Sequence, residues 1–209
     1  MIKNLIFDIG NVLVGYRWKE MLMDDFGLAD EAAERIGHEL FSDSLWTEFD
    51  RGDKEVDQII AEYIDKYPQD ESLITRFFHE AERMRVNRED VWDKVEQLKC
   101  LGYRIYLLSN YSEYLLNKHT DCIPFMKCVD GRIVSYEVNM LKPEPQIYKA
   151  LMNKYSLDPQ ECVFFDDLKA NVVAADELGI RSYEITSKEY LLMILDKYLT
   201  GEFGQYQTK

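Results

Sequence analysis

The strongest constraint on the fold is an alternation. Short apolar runs that end in polar residues recur at residues 2–7, 103–108, 162–165 and 181–185, and helical patterns lie between most of them. Runs apolar on both faces suit strands buried in a parallel sheet, and the intervening helices supply its crossovers. The expected fold class is therefore α/β, a doubly wound parallel sheet of the Rossmann-like kind. Its helices are expected at residues 89–100, with Val91, Val95 and Leu98 on one face, and at 144–155, 169–178 and 188–199. In such a sheet ligands sit outside the carboxyl ends of the strands, so the residues just after each run carry the functional interest.

One stretch breaks this rhythm. Between the first two apolar runs, residues 16–86 read as amphipathic helices at 18–26, 29–41, 44–49, 54–66 and 71–84, with turns at Gly27, Gly52-Asp53 and Tyr67-Pro68. The expected organisation is a core of residues 1–15 and 87–209 with an inserted all-helical cap, 16–86, over the sheet's carboxyl edge. Hinges are expected where the cap leaves and rejoins the core. Residues 201–209 read as a loose tail.

Composition excludes several classes of partner. With 25 Lys and Arg against 39 Asp and Glu, the formal net charge is −14, which repels nucleic-acid backbones and anionic lipid. No apolar run approaches the roughly 20 residues that span a bilayer, and no targeting segment is expected, because Asp8 and Gly10 interrupt the apolar start. Cys100, Cys122, Cys128 and Cys162 form no CxxC pair and no metal-type spacing with the three histidines, so reduced thiols and a cytoplasmic location are expected. His38, His79 and His119 read as packed or solvated side chains.

Four polar clusters stand at strand ends or sheet-edge loops: Asp8 with Gly10-Asn11, Ser109-Asn110, Lys142-Pro143 and Asp166-Asp167. Each alone is an ordinary cap, turn or surface charge. Adjacent carboxylates at a buried strand end are different, since they repel unless a cation lies between them and another ligand. Together the clusters provide what phosphoryl transfer through a covalent intermediate needs. Asp8 can be the nucleophile, and Mg²⁺ fits Asp8 with Asp167, Asp166 being a direct ligand or a partner behind it. Ser109 and the amide of Asn110 can hold phosphate at a helix N-terminus, while Lys142 neutralises charge and keeps Asp8 ionised.

In order and spacing these segments resemble the four motifs of the haloacid dehalogenase-like hydrolases: Phe7-Asp8-Ile9-Gly10-Asn11-Val12-Leu13, Leu107-Leu108-Ser109-Asn110, Lys142-Pro143 and Phe164-Phe165-Asp166-Asp167. Asn171 and Gly179-Ile180 extend the fourth, and residues 16–86 match the family's first type of cap. The resemblance implies a phosphoric monoester hydrolase with an Asp8 nucleophile, phosphate binding by Ser109 and Lys142, and substrate choice by the cap. It also implies Mg²⁺ bound by Asp8, Asp166, Asp167 and the backbone carbonyl of Gly10. The expected substrate is a small phosphorylated metabolite. The Asp8-to-Val12 pattern is similar to a subgroup that includes sugar-1-phosphate phosphatases.

Gly10 departs from the family pattern. Most phosphatases that the chain resembles carry a second Asp there, two residues after the nucleophile, as general acid and then base. Proton transfer is worth about 10²–10⁴-fold, so a cap residue, a water or the substrate must replace it. A phosphomutase needs that group and a dehalogenase needs no paired carboxylates, so both rank behind the phosphatase. The remaining alternative is a binding or regulatory protein that kept the fold and lost turnover. Tyr16, Arg17, Trp18, Trp46 and Arg51 are the residues expected to reach a substrate.

Overall fold

The computed structural model describes residues 1–203. Seven strands occur among them: β1 (Asn4–Phe7), β2 (Val14–Tyr16), β3 (Arg85–Asn87), β4 (Arg104–Ser109), β5 (Gly131–Val134), β6 (Cys162–Asp166) and β7 (Arg181–Glu184). Five of them form one parallel sheet in the order β5-β4-β1-β6-β7. β1 lies at its centre, where Phe7 pairs in register with Leu107 of β4 and Phe165 of β6. The carboxyl ends of these three strands therefore converge, and the chain crosses away from β1 on both sides, which opens a crevice there.

The continuous apolar runs follow from burial on both faces. Leu5 and Phe7, Ile105 and Leu107, and Val163 and Phe165 belong to one core, while Ile6, Tyr106, Leu108, Cys162 and Phe164 belong to the core on the opposite face. Helices Glu89–Cys100 and Lys188–Leu199 pack on the first face, and Pro145–Tyr155 and Lys169–Glu177 on the second. These four helices and four of the strands match the expected elements closely. The edge strand β5 and helix Glu113–Thr120 carry weaker patterns and were not expected; β5 buries only Ile133 and Val134.

The helical cap is joined to the core by a small ribbon. β2 and β3 pair antiparallel, Val14 with Asn87 and Tyr16 with Arg85, so the chain leaves and re-enters through two hydrogen-bonded strands. Two cap helices differ from expectation. The stretch 18–26 is a short α-turn, Trp18–Glu20, followed by a π-helical segment, Met21–Asp25. The stretch 71–84 breaks after His79, and Ala81–Met84 is a 3-10 turn. That break frees the Ala81 carbonyl, which accepts a hydrogen bond from His119 on the core.

Phe203 packs on Tyr183 and Tyr198, so the start of the expected tail is docked; residues 204–209 lie outside the described residues. No helix among the described residues is long and apolar enough to cross a membrane.

Candidate active site

The end of β1 delivers Asp8, which is only 8% exposed. Its Oδ1 accepts from Ser109 Oγ at 2.6 Å and faces Lys142 Nζ at 2.9 Å. No donor among the described residues reaches Oδ2, which leaves that oxygen open to a ligand. Ser109 is the last residue of β4 and does not stand at a helix N-terminus: Ser112 caps the next helix, its side chain accepting from the Leu115 amide. The Ser109 hydroxyl is instead committed to Asp8.

Lys142 is buried and bridges two carboxylates, with Asp166 Oδ2 at 2.6 Å. Asn110 holds it in place by a reciprocal clasp: Asn110 Nδ2 donates to the Lys142 carbonyl at 2.9 Å, and the Lys142 amide donates to Asn110 Oδ1 at 2.8 Å. The Asn110 side chain is thus used for positioning, and only its backbone amide is left for a ligand.

Ligand-type oxygens of Asp8, Asp166 and Asp167 lie within 4.8 Å of one another. Such a set of hard oxygens fits a divalent cation. The two neighbours are not equivalent. Asp166 is saturated by the Leu168 amide, the Asn171 amide group and Lys142, whereas Asp167 accepts from Asn11 Nδ2, at 3.0 Å, and from its own amide, with no cation paired to it among the described residues. Asp167 is therefore the freer ligand and Asp166 the group that holds Lys142. Asn11 reaches Asp167 from a left-handed backbone conformation, φ 52°, which Asn adopts more readily than most residues. Beneath this loop Arg88 donates to the Asn11 and Val12 carbonyls, at 2.6 and 3.2 Å.

Above Asp8 lies a cavity of about 340 Å³. Tyr16, Trp18 and Trp46 line it with Phe41, Met84 and Leu115. Gly37 makes room for Trp18, since a Cβ there would come within 2.3 Å of the indole. Arg17 and Arg51 do not line the cavity. Arg17 is paired with the nearby Asp25 of the cap at 2.8 Å, and Arg51 with Glu144 of the core at 2.8 Å, so each guanidinium is taken up by a carboxylate outside the cavity. Asp50 and Tyr111 also line the cavity without having been singled out in the sequence, as does His119, which was expected to be packed or solvated.

The space beside Gly10 is also occupied. A Cβ at Gly10 would lie 3.1 Å from Tyr16 Cε2 and 3.2 Å from its hydroxyl, so the Tyr16 ring fills the room a larger side chain would take. Gly10 is not among the residues at positive φ, so side-chain space rather than backbone angle limits Gly10→Asp.

Burial dominates the electrostatics. It raises Asp8 from 3.8 to about 7 against the opposing pull of Lys142, and it raises Asp50 from 3.8 to about 7 against hydrogen bonds from the Ser112 amide and the Trp46 indole. His119 is lowered from 6.5 to about 4, also by burial, and is neutral at pH 7. These shifts set the pH dependence of the metal-free protein. Between about pH 5 and 6.5 the folded state keeps protons on Asp8 and Asp50 that the unfolded chain has lost, against the His119 proton that only the unfolded chain keeps; carboxylates lowered by ion pairs, Glu80 and Glu144 among them, titrate mostly below this range. The folded state binds more protons, so stability is expected to fall as pH rises from about 5 to about 7.5. Calorimetry with a chelator at several pH values checks this; a melting temperature that climbs over the same range contradicts it.

A buried aspartate at the carboxyl end of a central parallel strand, with a lysine, a serine and two further carboxylates around it and a helical cap above, defines a hydrolase of the haloacid dehalogenase type. The chain belongs to the haloacid dehalogenase-like hydrolase family, whose model matches residues 2–179. It is 24% identical over 199 residues to D-ribitol-5-phosphate phosphatase of Bacteroides thetaiotaomicron, covering 88% of this chain and 92% of that protein. It is 26% identical over 211 residues to drimenol cyclase drtB of Aspergillus calidoustus, covering 98% of this chain but only 37% of that protein. Among solved structures, the HAD family enzyme bt-2542 of Bacteroides thetaiotaomicron, in complex with magnesium and inorganic phosphate, superposes with a TM-score of 0.66. That match is 25% identical and covers 88% of this chain and 93% of the other.

Proposed function

We propose that the protein is a Mg²⁺-dependent phosphatase that hydrolyses a small phosphate monoester through an aspartyl-phosphate on Asp8. One observation carries the reading: Asp8 has Ser109 and Lys142 fixed on Oδ1, Oδ2 free of protein donors, and Asp166 and Asp167 close by. A nucleophile needs one oxygen held and the other open, and this carboxylate has both.

Asp8, Asp167 and the Gly10 carbonyl would hold Mg²⁺, with Asp166 behind them. Mg²⁺ would supply charge neutralisation for the phosphoryl oxygens and keep Asp8 ionised at neutral pH. The Asn110 amide and the Lys142 ammonium bind the phosphoryl oxygens and orient phosphorus toward Asp8 Oδ2, while the Ser109 hydroxyl holds Asp8 Oδ1 in place. The cap excludes bulk water from this contact. The phosphatase among the relatives and the magnesium and phosphate bound to bt-2542 support the same reading.

The cavity also limits the leaving group. Trp18, Phe41, Trp46, Met84 and Leu115 form much of its wall, and Asp50 faces the same space. A second phosphate or a carboxylate on the substrate would meet Asp50 with no cation in the cavity lining to receive it. The substrates are therefore monophosphates of uncharged alcohols, sugar and alditol phosphates among them.

The test is hydrolysis of a panel of alditol, sugar, aryl and bisphosphorylated esters with Mg²⁺ or with chelator. Activity on monophosphates of neutral alcohols is expected to disappear with chelator and to fall at least about tenfold for bisphosphates, in line with an unpaired charge in a dry site. Metal-independent turnover, or turnover of 2-haloacids in place of phosphate esters, would reject the proposal.

A further inference from the structure

The hydrolysis proposed above needs a proton donor for the leaving oxygen, and Gly10 offers none. Besides Asp8, the cavity lining contains four titratable side chains: Tyr16, Tyr111, His119 and Asp50. Three of them are committed to one another. His119 Nε2 lies 2.9 Å from the Ala81 carbonyl, which can only accept, so Nε2 carries the ring proton. Nδ1 is then a bare acceptor, and the Tyr111 hydroxyl, 2.8 Å away, donates to it. The Tyr111 oxygen in turn accepts from the Tyr16 hydroxyl. Each proton in this series is donated to the next member, and the last, on His119 Nε2, to the Ala81 carbonyl, so none is left for a leaving group.

Asp50 is outside the series. Its Oδ1 accepts from the Ser112 amide at 3.2 Å, and the Trp46 indole gives the carboxyl a second hydrogen bond. Both partners are donors, so neither takes up a proton that the carboxyl carries. Its position is fixed by a latch between cap and core. The Ser135 hydroxyl donates to the Asp50 carbonyl, and Arg51 pairs with Glu144. Gly52 ends the helix at φ 80° against Tyr136, where a Cβ would come within 2.9 Å of backbone.

We propose that Asp50, reaching from the cap into the cavity over Asp8, is the general acid and general base that stands in for the carboxylate missing at Gly10. In the first step Asp8 Oδ2 forms a bond to phosphorus while the bond from phosphorus to the ester oxygen breaks. The proton of the Asp50 carboxyl passes to that oxygen, so a neutral alcohol leaves and Asp50 becomes a carboxylate. In the second step water attacks phosphorus, the Asp8–phosphate bond breaks, and Asp50 takes one proton from the water. Hydrogen phosphate leaves, and Asp8 is again a carboxylate and Asp50 an acid.

The surroundings suit both roles. Burial, with a smaller push from Asp8, lifts the carboxyl to about 7 against the pull of the Ser112 amide, Lys142 and the Trp46 indole. A group that titrates near the working pH is present in both forms, as a shuttle requires. Arg51, its neighbour, is turned outward to Glu144 and leaves the balance to these groups.

Asp50→Asn keeps an acceptor for the Ser112 amide and removes the transferable proton; Asp50→Ser removes it with a smaller side chain. Formation of phosphoenzyme is followed by rapid quench with Mg²⁺, from an alditol phosphate and from p-nitrophenyl phosphate. For both variants the alditol phosphate rate is expected to fall about 10²–10⁴-fold, and the p-nitrophenyl rate less than about tenfold, because that leaving group needs no proton. Phosphoenzyme should also accumulate, since its hydrolysis has lost the base. Tyr16→Phe should slow both esters alike. Equal losses on the two esters in the Asp50 variants, or the selective loss appearing in Tyr16→Phe instead, would overturn the assignment to Asp50 and leave the phosphatase reading standing. An unmodified protein that forms no phosphoenzyme from either ester would overturn both.

Discussion

Asp8→Asn is expected to abolish turnover and leave the fold intact. The amide is close to the carboxylate in shape, so Ser109 and Lys142 keep an acceptor at Oδ1, but the open oxygen at Oδ2 and the negative charge are lost together. Removal of a covalent nucleophile costs on the order of 10⁶-fold in kcat, so residual activity should lie near background. The same change reduces the charge crowded around Lys142 from three carboxylates to two. The metal-free variant should therefore melt no lower than the unmodified protein near neutral pH, while Mg²⁺ raises its melting temperature less. Steady-state rates on a phosphate monoester and melting curves with and without Mg²⁺ measure both effects. Retention of most of the activity would remove Asp8 from the reaction.

Lys142→Met should have the largest effect on stability. The Lys142 side chain is 1% exposed, and its ammonium lies between Asp8 and Asp166, at 2.9 and 2.6 Å, above the Phe164 ring. Methionine fills a similar volume, so the change isolates the charge. Taking one partner from a buried ion pair costs about 3–5 kcal/mol, because the carboxylates left behind are buried without compensation. For a chain of this size that is a fall in melting temperature of roughly 10 °C. Asp8, already raised to about 7 by burial, can take up a proton in the variant, so the deficit should be smaller near pH 5 and grow toward pH 8. Added Mg²⁺ should restore part of it. Turnover should fall as well, by about 10²–10³-fold for one lost charge at the phosphoryl oxygens. A variant with an unchanged melting temperature at pH 8 would show that the cation is not what holds these carboxylates together.

Much of the core was legible in the amino-acid sequence because its determinants are local. The runs around Leu5-Ile6-Phe7 and Cys162-Val163-Phe164-Phe165 are apolar at every position, as strands buried on two faces must be, and the polar residues that end them mark the crevice. The short edge strand at Gly131–Val134 buries too little to announce itself. The cap was legible as helices and not as a surface. Arg17 and Arg51 looked able to reach a substrate because the sequence does not say which carboxylate each finds; Asp25 and Glu144 decided that. Asp50 was not singled out, since nothing local marks it, and only docking of its helix end on Ser112 and Ser135 makes it a half-buried acid facing the cavity.

Period, strand-terminal polarity and motif order, all readable along the chain, determined the parallel sheet, the helical insertion and the convergence of Asp8, Ser109, Lys142, Asp166 and Asp167. The tertiary structure alone decided the Asn110 clasp on Lys142, the ring of Tyr16 in the space beside Gly10, the direction of the hydrogen-bond series through Tyr111 and His119, and the burial that shifts Asp50. These depend on how a cap helix end and a broken helix turn pack against the core. Desolvation and side-chain hydrogen bonding between segments far apart in the chain leave no periodic trace in a sequence.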